Sequence, residues 1–275
     1  MSATTHRVLH ADVALLPVTD ADEEVFLLYT ALAGKPDCQG SHGLGSVNSR
    51  SDRLSIEIDD DLTIELAQNT SALRSRKGDT GSVLWRASVT LARLLRSPNV
   101  PILNQATIQN GTILELGAGT GILATALYSR SAQYIATDLV ELVPLIQKNL
   151  NLNDCPSTVV ATAIDWTVLH SLQSTKRDAV FPVPPGLTVV LAVDTLYNPS
   201  LVPPFVSTLE HYTSSGACAL VVCELRAQEV IQEFLEQWVT SERFQIYRIE
   251  ESIIELPFVA WVAWRVPQLA ASIQS

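Results

Sequence analysis

The chain has 275 residues, enough for one or two domains at roughly 150 residues each. Hydrophobic residues make up 47% and charged residues 17% of it, so it can bury a sizeable core and is too poor in charge for a disordered chain. Eighteen basic against 29 acidic residues leave a net charge of −11, which repels a phosphate backbone and speaks against direct nucleic-acid binding, whereas a basic protein partner would be drawn towards it.

Near the N-terminus Arg7, His10 and Asp12 interrupt any apolar stretch, which excludes a signal-peptide pattern there. Nowhere does the sequence offer the ~18 consecutive apolar residues of a membrane span. The expectation is a soluble cytoplasmic protein, monomeric by default. Its cysteines, Cys38, Cys155, Cys218 and Cys223, contain no C-x-x-C pair and no histidine at ligand spacing, so neither a metal site nor a disulfide framework is expected.

In chain order, the Gly- and Ser-rich stretch at about 37–52 predicts a mobile loop, because it cannot bury enough apolar surface to offset its ordering entropy. Two alternating runs, Leu54-Ser-Ile56-Glu-Ile58 and Leu62-Thr-Ile64-Glu-Leu66, flank Asp59–Asp61 and predict a β-hairpin with one polar face. These features define an N-terminal extension over residues 1–78, ahead of a second domain over 79–275. From residue 81 short apolar runs alternate with helix-length amphipathic segments, the pattern of βαβ units around a mostly parallel sheet.

Strands are predicted at 112–116, 134–137, 158–163, 187–193, 217–223, 244–249 and 258–265, and helices at 121–129, 142–150, 202–211 and 227–239. The segment Glu250–Pro257 is far too short for a parallel crossover, which predicts that the last two strands form an antiparallel hairpin at the sheet edge.

The strongest chemical signal is Thr112-Ile-Leu-Glu115-Leu-Gly117-Ala118-Gly119-Thr120-Gly121, an apolar strand running through three alternate glycines into a helix. Such a turn lets backbone approach a ligand closely. The G-x-G-x-G spacing differs from the dinucleotide fingerprint G-x-G-x-x-G, and Glu115 two residues ahead suits a cationic ligand better than a pyrophosphate. Asp138 ends the next strand, where nucleotide folds place a carboxylate that accepts from ribose hydroxyls. Each feature alone could be a structural turn or a solvated carboxylate. In register, they point to an adenosine-bearing cofactor.

Three further segments complete the pattern: Thr80-Gly-Ser-Val-Leu-Trp85, Ala163-Ile-Asp165-Trp166, and Leu191-Ala-Val193-Asp194-Thr-Leu-Tyr197. With the glycine loop they make the chain resemble, over roughly residues 80–266, the seven-strand S-adenosylmethionine-dependent methyltransferases. More narrowly it resembles methyltransferase-like family 16, largely protein-lysine methyltransferases, and within it the fungal ribosomal lysine N-methyltransferase 5 group.

The resemblance implies a Rossmann-like α/β sheet with an antiparallel last strand, S-adenosylmethionine as cofactor and a basic, ribosomal protein substrate. It further implies that Trp85 lies along the cofactor, that Asp165 or its backbone reaches the adenine amine, and that Trp166 packs on the ring. Val193 would touch the cofactor, and Asp194 and Tyr197 would face the substrate as catalytic residues. Small-molecule and nucleic-acid methyltransferases share the fold and stay as alternatives. Residues 1–36 and the loop at about 37–52 match nothing in the family pattern, and Arg86 stands where members of the family often carry an acidic or small residue.

Overall fold

The computed structural model describes residues 8–35, 45–71, 80–97 and 102–266. The large sheet has eight strands: β1 (Leu15–Val18), β4 (Thr112–Leu116), β5 (Gln133–Asp138), β6 (Val159–Ala163), β7 (Leu187–Val193), β8 (Cys218–Glu224), β9 (Phe244–Ile249) and β10 (Phe258–Arg265), in the order β1-β9-β10-β8-β7-β4-β5-β6. A separate hairpin consists of β2 (Arg53–Asp59) and β3 (Leu62–Ala67).

The strands from β8 to β6 are parallel, and β10 runs antiparallel to both β8 and β9. All seven predicted strands form, within a residue or so of the expected bounds. The reason is visible in their burial: along β8, Cys218, Leu220 and Val222 enter the core on one face, and Ala219, Val221 and Cys223 the core on the other. A strand covered on both faces reads as a continuous apolar run.

The edge differs from expectation. The β9–β10 hairpin is not the last element of the sheet, because β1 pairs antiparallel with β9, Leu15 opposite Ile249 and Val18 opposite Ile246. Pro17 within β1 is compatible with an edge strand, where a missing N–H interrupts no ladder. Asp20 then caps α1 (Ala21–Ala33) by accepting from the Glu23 amide at 2.9 Å. Residues 15–33 are therefore built into the large sheet and its helical cover, not confined to an appendage.

The other helices are α2 (Arg86–Arg96), α3 (Gln105–Ile108), α4 (Ile122–Leu127), α5 (Val143–Leu152), α6 (Trp166–Ser171), α7 (Ser174–Val180), α8 (Val202–Tyr212) and α9 (Gln228–Thr240). One face of the sheet packs against α2, α4 and α5, and the other against α1, α8 and α9. No helix among the described residues is long and apolar enough to cross a membrane.

The predicted hairpin forms with one exposed and one buried face, its Leu54, Ile56, Ile58, Ile64 and Leu66 joining the core around α2, α4 and α5. Its edge is docked by side chains: Asn149 on α5 and Asn153 at the cap that ends it each exchange two hydrogen bonds of 2.7–3.0 Å with the backbone of Ala67 and Glu65, respectively.

Of the expected mobile loop, residues 37–44, with Cys38, lie outside the described residues, as do residues 76–79 at the expected domain boundary. The described part is pinned. The Val47 amide donates to Leu84 O and the Arg86 amide to Gly45 O, both at 2.9 Å. The side chain of Gln68 donates to Asn48 O and Ser51 O and accepts from the Leu84 amide.

Candidate active site

In open α/β sheets a ligand crevice forms outside the carboxyl ends of the strands, where the winding reverses. Here the chain winds from β4 to β5 on one side, while β7 pairs with β4 on the other. Above that point opens a cleft of about 640 Å³, within the range of small-molecule sites.

Four segments line it: residues 80–88 before and at the start of α2, the glycine loop after β4, the end of β5 with Leu139, Glu141 and Leu142, and the run from Val193 to Tyr197 after β7. Trp166 closes the far wall, its ring 5.2 Å from that of Phe205. Trp85 forms the near wall, its indole N–H held by Thr80 O at 2.8 Å.

The floor is glycine for steric reasons. Gly119 has φ +56, and a Cβ on it would sit 3.1 Å from Gly81 O. A Cβ on Gly81 would in turn meet Leu142 Cδ1 at 2.4 Å. The two backbones pack directly against each other at the cleft, and a side chain on either would force them apart.

Asp138 is held at the cleft by two amides, Gly119 N–H at one carboxylate oxygen and Leu139 N–H at the other, both at 2.8 Å. A carboxylate offers about four acceptor positions in all. Together, the bare floor, a positioned carboxylate and two flat indole walls fit an adenosine-bearing cofactor.

Most of the expected site residues are thus brought together: Trp85, Gly117, Ala118, Gly119, Thr120, Asp138, Trp166, Val193, Asp194 and Tyr197 all line the cleft. Three are not. Glu115 is 2% exposed and accepts the Tyr134 hydroxyl at 2.8 Å beneath the loop. Burial pushes its carboxyl up to about 8, and the Asp138 charge adds to this while the Tyr134 hydrogen bond opposes it. It lies buried in the sheet beneath the loop, apart from the side chains that line the cleft.

Asp165 is the N-cap of α6 and accepts from the Thr167 amide and hydroxyl at 2.8 and 2.6 Å and from the Val168 amide at 3.3 Å, which accounts for it as a helix start. Gly121, with φ +76, is the left-handed residue that turns the chain into α4 behind the loop.

Asp194 has φ +57, uncommon for a residue with a side chain and characteristic of functional sites. It is 3% exposed and ion-paired to Arg226 at 2.5 Å, and its other oxygen accepts from the Glu224 amide at 3.3 Å. Glu224 in turn pairs with Arg86 and, at 3.3 Å, with Arg226. Arg86, which departs from the family pattern, is thereby accounted for. Tyr197 stands at the mouth, 42% exposed. The sequence reading did not single out Thr195, Glu224 or Arg226. The last two follow an apolar strand as an acid–base pair, a signal too common to have marked them.

Comparison with known proteins agrees with this architecture. Residues 65–240 match the family model described as lysine methyltransferase. The ribosomal lysine N-methyltransferase 5 of Kluyveromyces lactis is 24% identical over 306 aligned residues, covering 87% of this chain and 95% of that protein. The protein-lysine N-methyltransferase EFM2 of Saccharomyces cerevisiae is 30% identical over 52% of this chain and 37% of its own.

A Schizosaccharomyces pombe protein named diaminohydroxyphosphoribosylamino-pyrimidine deaminase is 32% identical over 86% of this chain but only 55% of that protein. The present sequence contains neither His-x-Glu nor Cys-x-x-Cys, the spacings with which zinc deaminases activate water. With the family match spanning more than half of its length, and the cleft lying within the matched part, the chain belongs to the lysine methyltransferase family.

Proposed function

We propose that this cleft binds S-adenosylmethionine, and that the chain uses it to methylate a lysine amine of a large-subunit ribosomal protein in the cytoplasm. The observation that carries the reading is the meeting, on one cleft at the strand ends, of the glycine floor, Asp138 and Trp166 with Asp194 and Tyr197. The ribosomal target is supported by the names of relatives that align over most of the chain.

The bound cofactor supplies a methyl group activated on a sulfonium. Asp138 would accept from the ribose hydroxyls, the backbone of Gly117–Gly119 would admit the cofactor closely, and Trp166 would pack on the base. What remains for the protein is alignment, which can contribute much of the rate when a reaction needs no further acid or base at the transferred group.

The target lysine is almost wholly protonated in water at pH 7, its free pKa being near 10.4, so the site must hold it as the amine. Asp194 would accept a hydrogen bond from that amine, and the exposed ring of Tyr197 would offer a π face as positive charge develops on nitrogen.

The test incubates purified protein with methyl-labelled S-adenosylmethionine and a fungal lysate lacking the enzyme, beside an Asp194→Asn control. Asparagine tolerates the left-handed backbone at this position, so the control changes charge and not fold. A single labelled band in the ribosomal fraction, mapping to lysine and reduced about a hundredfold or more in the control, is expected, with cofactor affinity by calorimetry within a few-fold of wild type. Tight cofactor binding with no protein label would move the assignment to a small-molecule or nucleic-acid substrate.

A further inference from the structure

Asp194 does not meet the cleft as a lone anion. Arg86, Glu224, Arg226 and Asp194 form a continuous chain of ion pairs at the carboxyl ends of β7 and β8. The two carboxylates are each 3% exposed, while the two guanidiniums are 34% and 29% exposed. Two negative charges are balanced by two positive ones. Arg226 is further anchored over the Trp85 ring, its guanidinium carbon 5.2 Å from the ring centroid, so one cation touches both the wall of the cleft and its buried acid.

We propose that Arg226 is a positioning residue which neutralises Asp194 from behind while leaving it as a hydrogen-bond acceptor, so that the target lysine is held as the uncharged amine. This rests on the reading of the cleft as a lysine-methylating site. A lone buried carboxylate would bind the ammonium form and raise its pKa, whereas a carboxylate already paired to a guanidinium exerts little net field on a cation.

The distinction matters because only the amine has the lone pair that forms the new N–C bond as the C–S bond breaks and its electrons return to sulfur. The ammonium must first lose a proton to solvent, and the methylated nitrogen loses another afterwards.

Two further carboxylates line the same cleft and leave the balance within the cluster itself unchanged. The Cys223 thiol on β8 is pushed well above its usual range by burial, and the Asp194 charge raises it further. Tyr197 shares the wall, and Asp138 and Glu141 stand at the β5 end of the cleft.

The experiment measures kcat against pH from about 7 to 10, with labelled S-adenosylmethionine and large-subunit ribosomal proteins from a fungal strain lacking the enzyme. Arg226→Gln takes the cluster from neutral to −1. It should raise the apparent pKa of the rate profile by about one unit, giving roughly tenfold slower turnover near neutrality, convergence with wild type at high pH, and a lower KM for the protein substrate. Glu224→Gln takes the cluster to +1 and should move the profile the opposite way. Arg226→Lys, which keeps the charge, should leave the apparent pKa near that of wild type.

Opposite shifts from two neighbouring substitutions cannot come from loosened packing alone. A pH-independent loss in both variants, or shifts of the same sign, would overturn the proposal while leaving the methyltransferase reading intact. If Arg226→Gln does not fold, the downward shift in Glu224→Gln decides the matter alone. Wild-type protein that labels no lysine would overturn the proposal together with the reading beneath it.

Discussion

Glu115 shows how one buried proton can tie stability to pH. In the folded chain its carboxyl is pushed up to about 8 against an ordinary 4.5, first by burial. Between those values the native state keeps a proton that the unfolded state releases, so this residue makes stability fall as pH rises through the window and contributes no further slope above it. Glu115→Gln removes the ionisation and keeps an acceptor for the Tyr134 hydroxyl. The melting temperature of the variant relative to wild type should therefore climb by several degrees between pH 5 and pH 8, at about 2–4 °C per kcal/mol for a chain of this size. A difference that stays flat across that range would show that Glu115 is ionised in the fold.

At the scale of elements, the docking of the hairpin onto α5 is carried by amide side chains acting as a substitute strand. Asn149 is wholly buried and, besides meeting both backbone groups of Ala67, donates at 2.8 Å to Thr120 O in the glycine loop. Asn149→Ala leaves three buried backbone groups without that partner. At about 1–3 kcal/mol for each unsatisfied group, partly relieved by relaxation, the loss should be about 2–4 kcal/mol in denaturant titration. Cofactor affinity should weaken with it, because the loop loses a support. A cost below about 1 kcal/mol would mean that water replaces the side chain.

The same elements show what could be read in the sequence and what could not. The inner strands were legible because two-sided burial writes them as unbroken apolar runs, and the hairpin because its alternation matches its two faces. β1 was not, since four residues including Pro17 carry no periodic signal and gain their structure only from β9. α6 and α7 are short and largely polar, so no stripe marks them. Within the site, local motifs gave the residues on the wall, but the partnership of Asp194 with Arg226 depends on the adjacency of β7 and β8, which spacing along the chain does not encode.

For the whole molecule, the net charge of −11 is a statement about encounter. A basic protein substrate should be attracted over a screening length of about 8–10 Å near physiological salt. Raising ionic strength from roughly 50 to 500 mM should therefore lower kcat/KM for the protein substrate several-fold, while cofactor affinity changes far less. A salt-independent kcat/KM would show that contact chemistry alone governs association.

The closure of the sheet has a consequence in time. Among the described residues, the carboxylate of Glu24 on α1, 6% exposed, pairs with Arg248 at 3.0 Å and with the Trp261 indole at 2.9 Å, the latter 237 residues away along the chain. During synthesis, β1 and α1 emerge long before β9 and β10 exist to receive them, and a charge destined for burial has no counter-ion until then. This earlier-synthesised segment is therefore among the last to dock. In a pulse-labelled refolding experiment the amides of residues 15–33 should gain protection after those of β4 and β7.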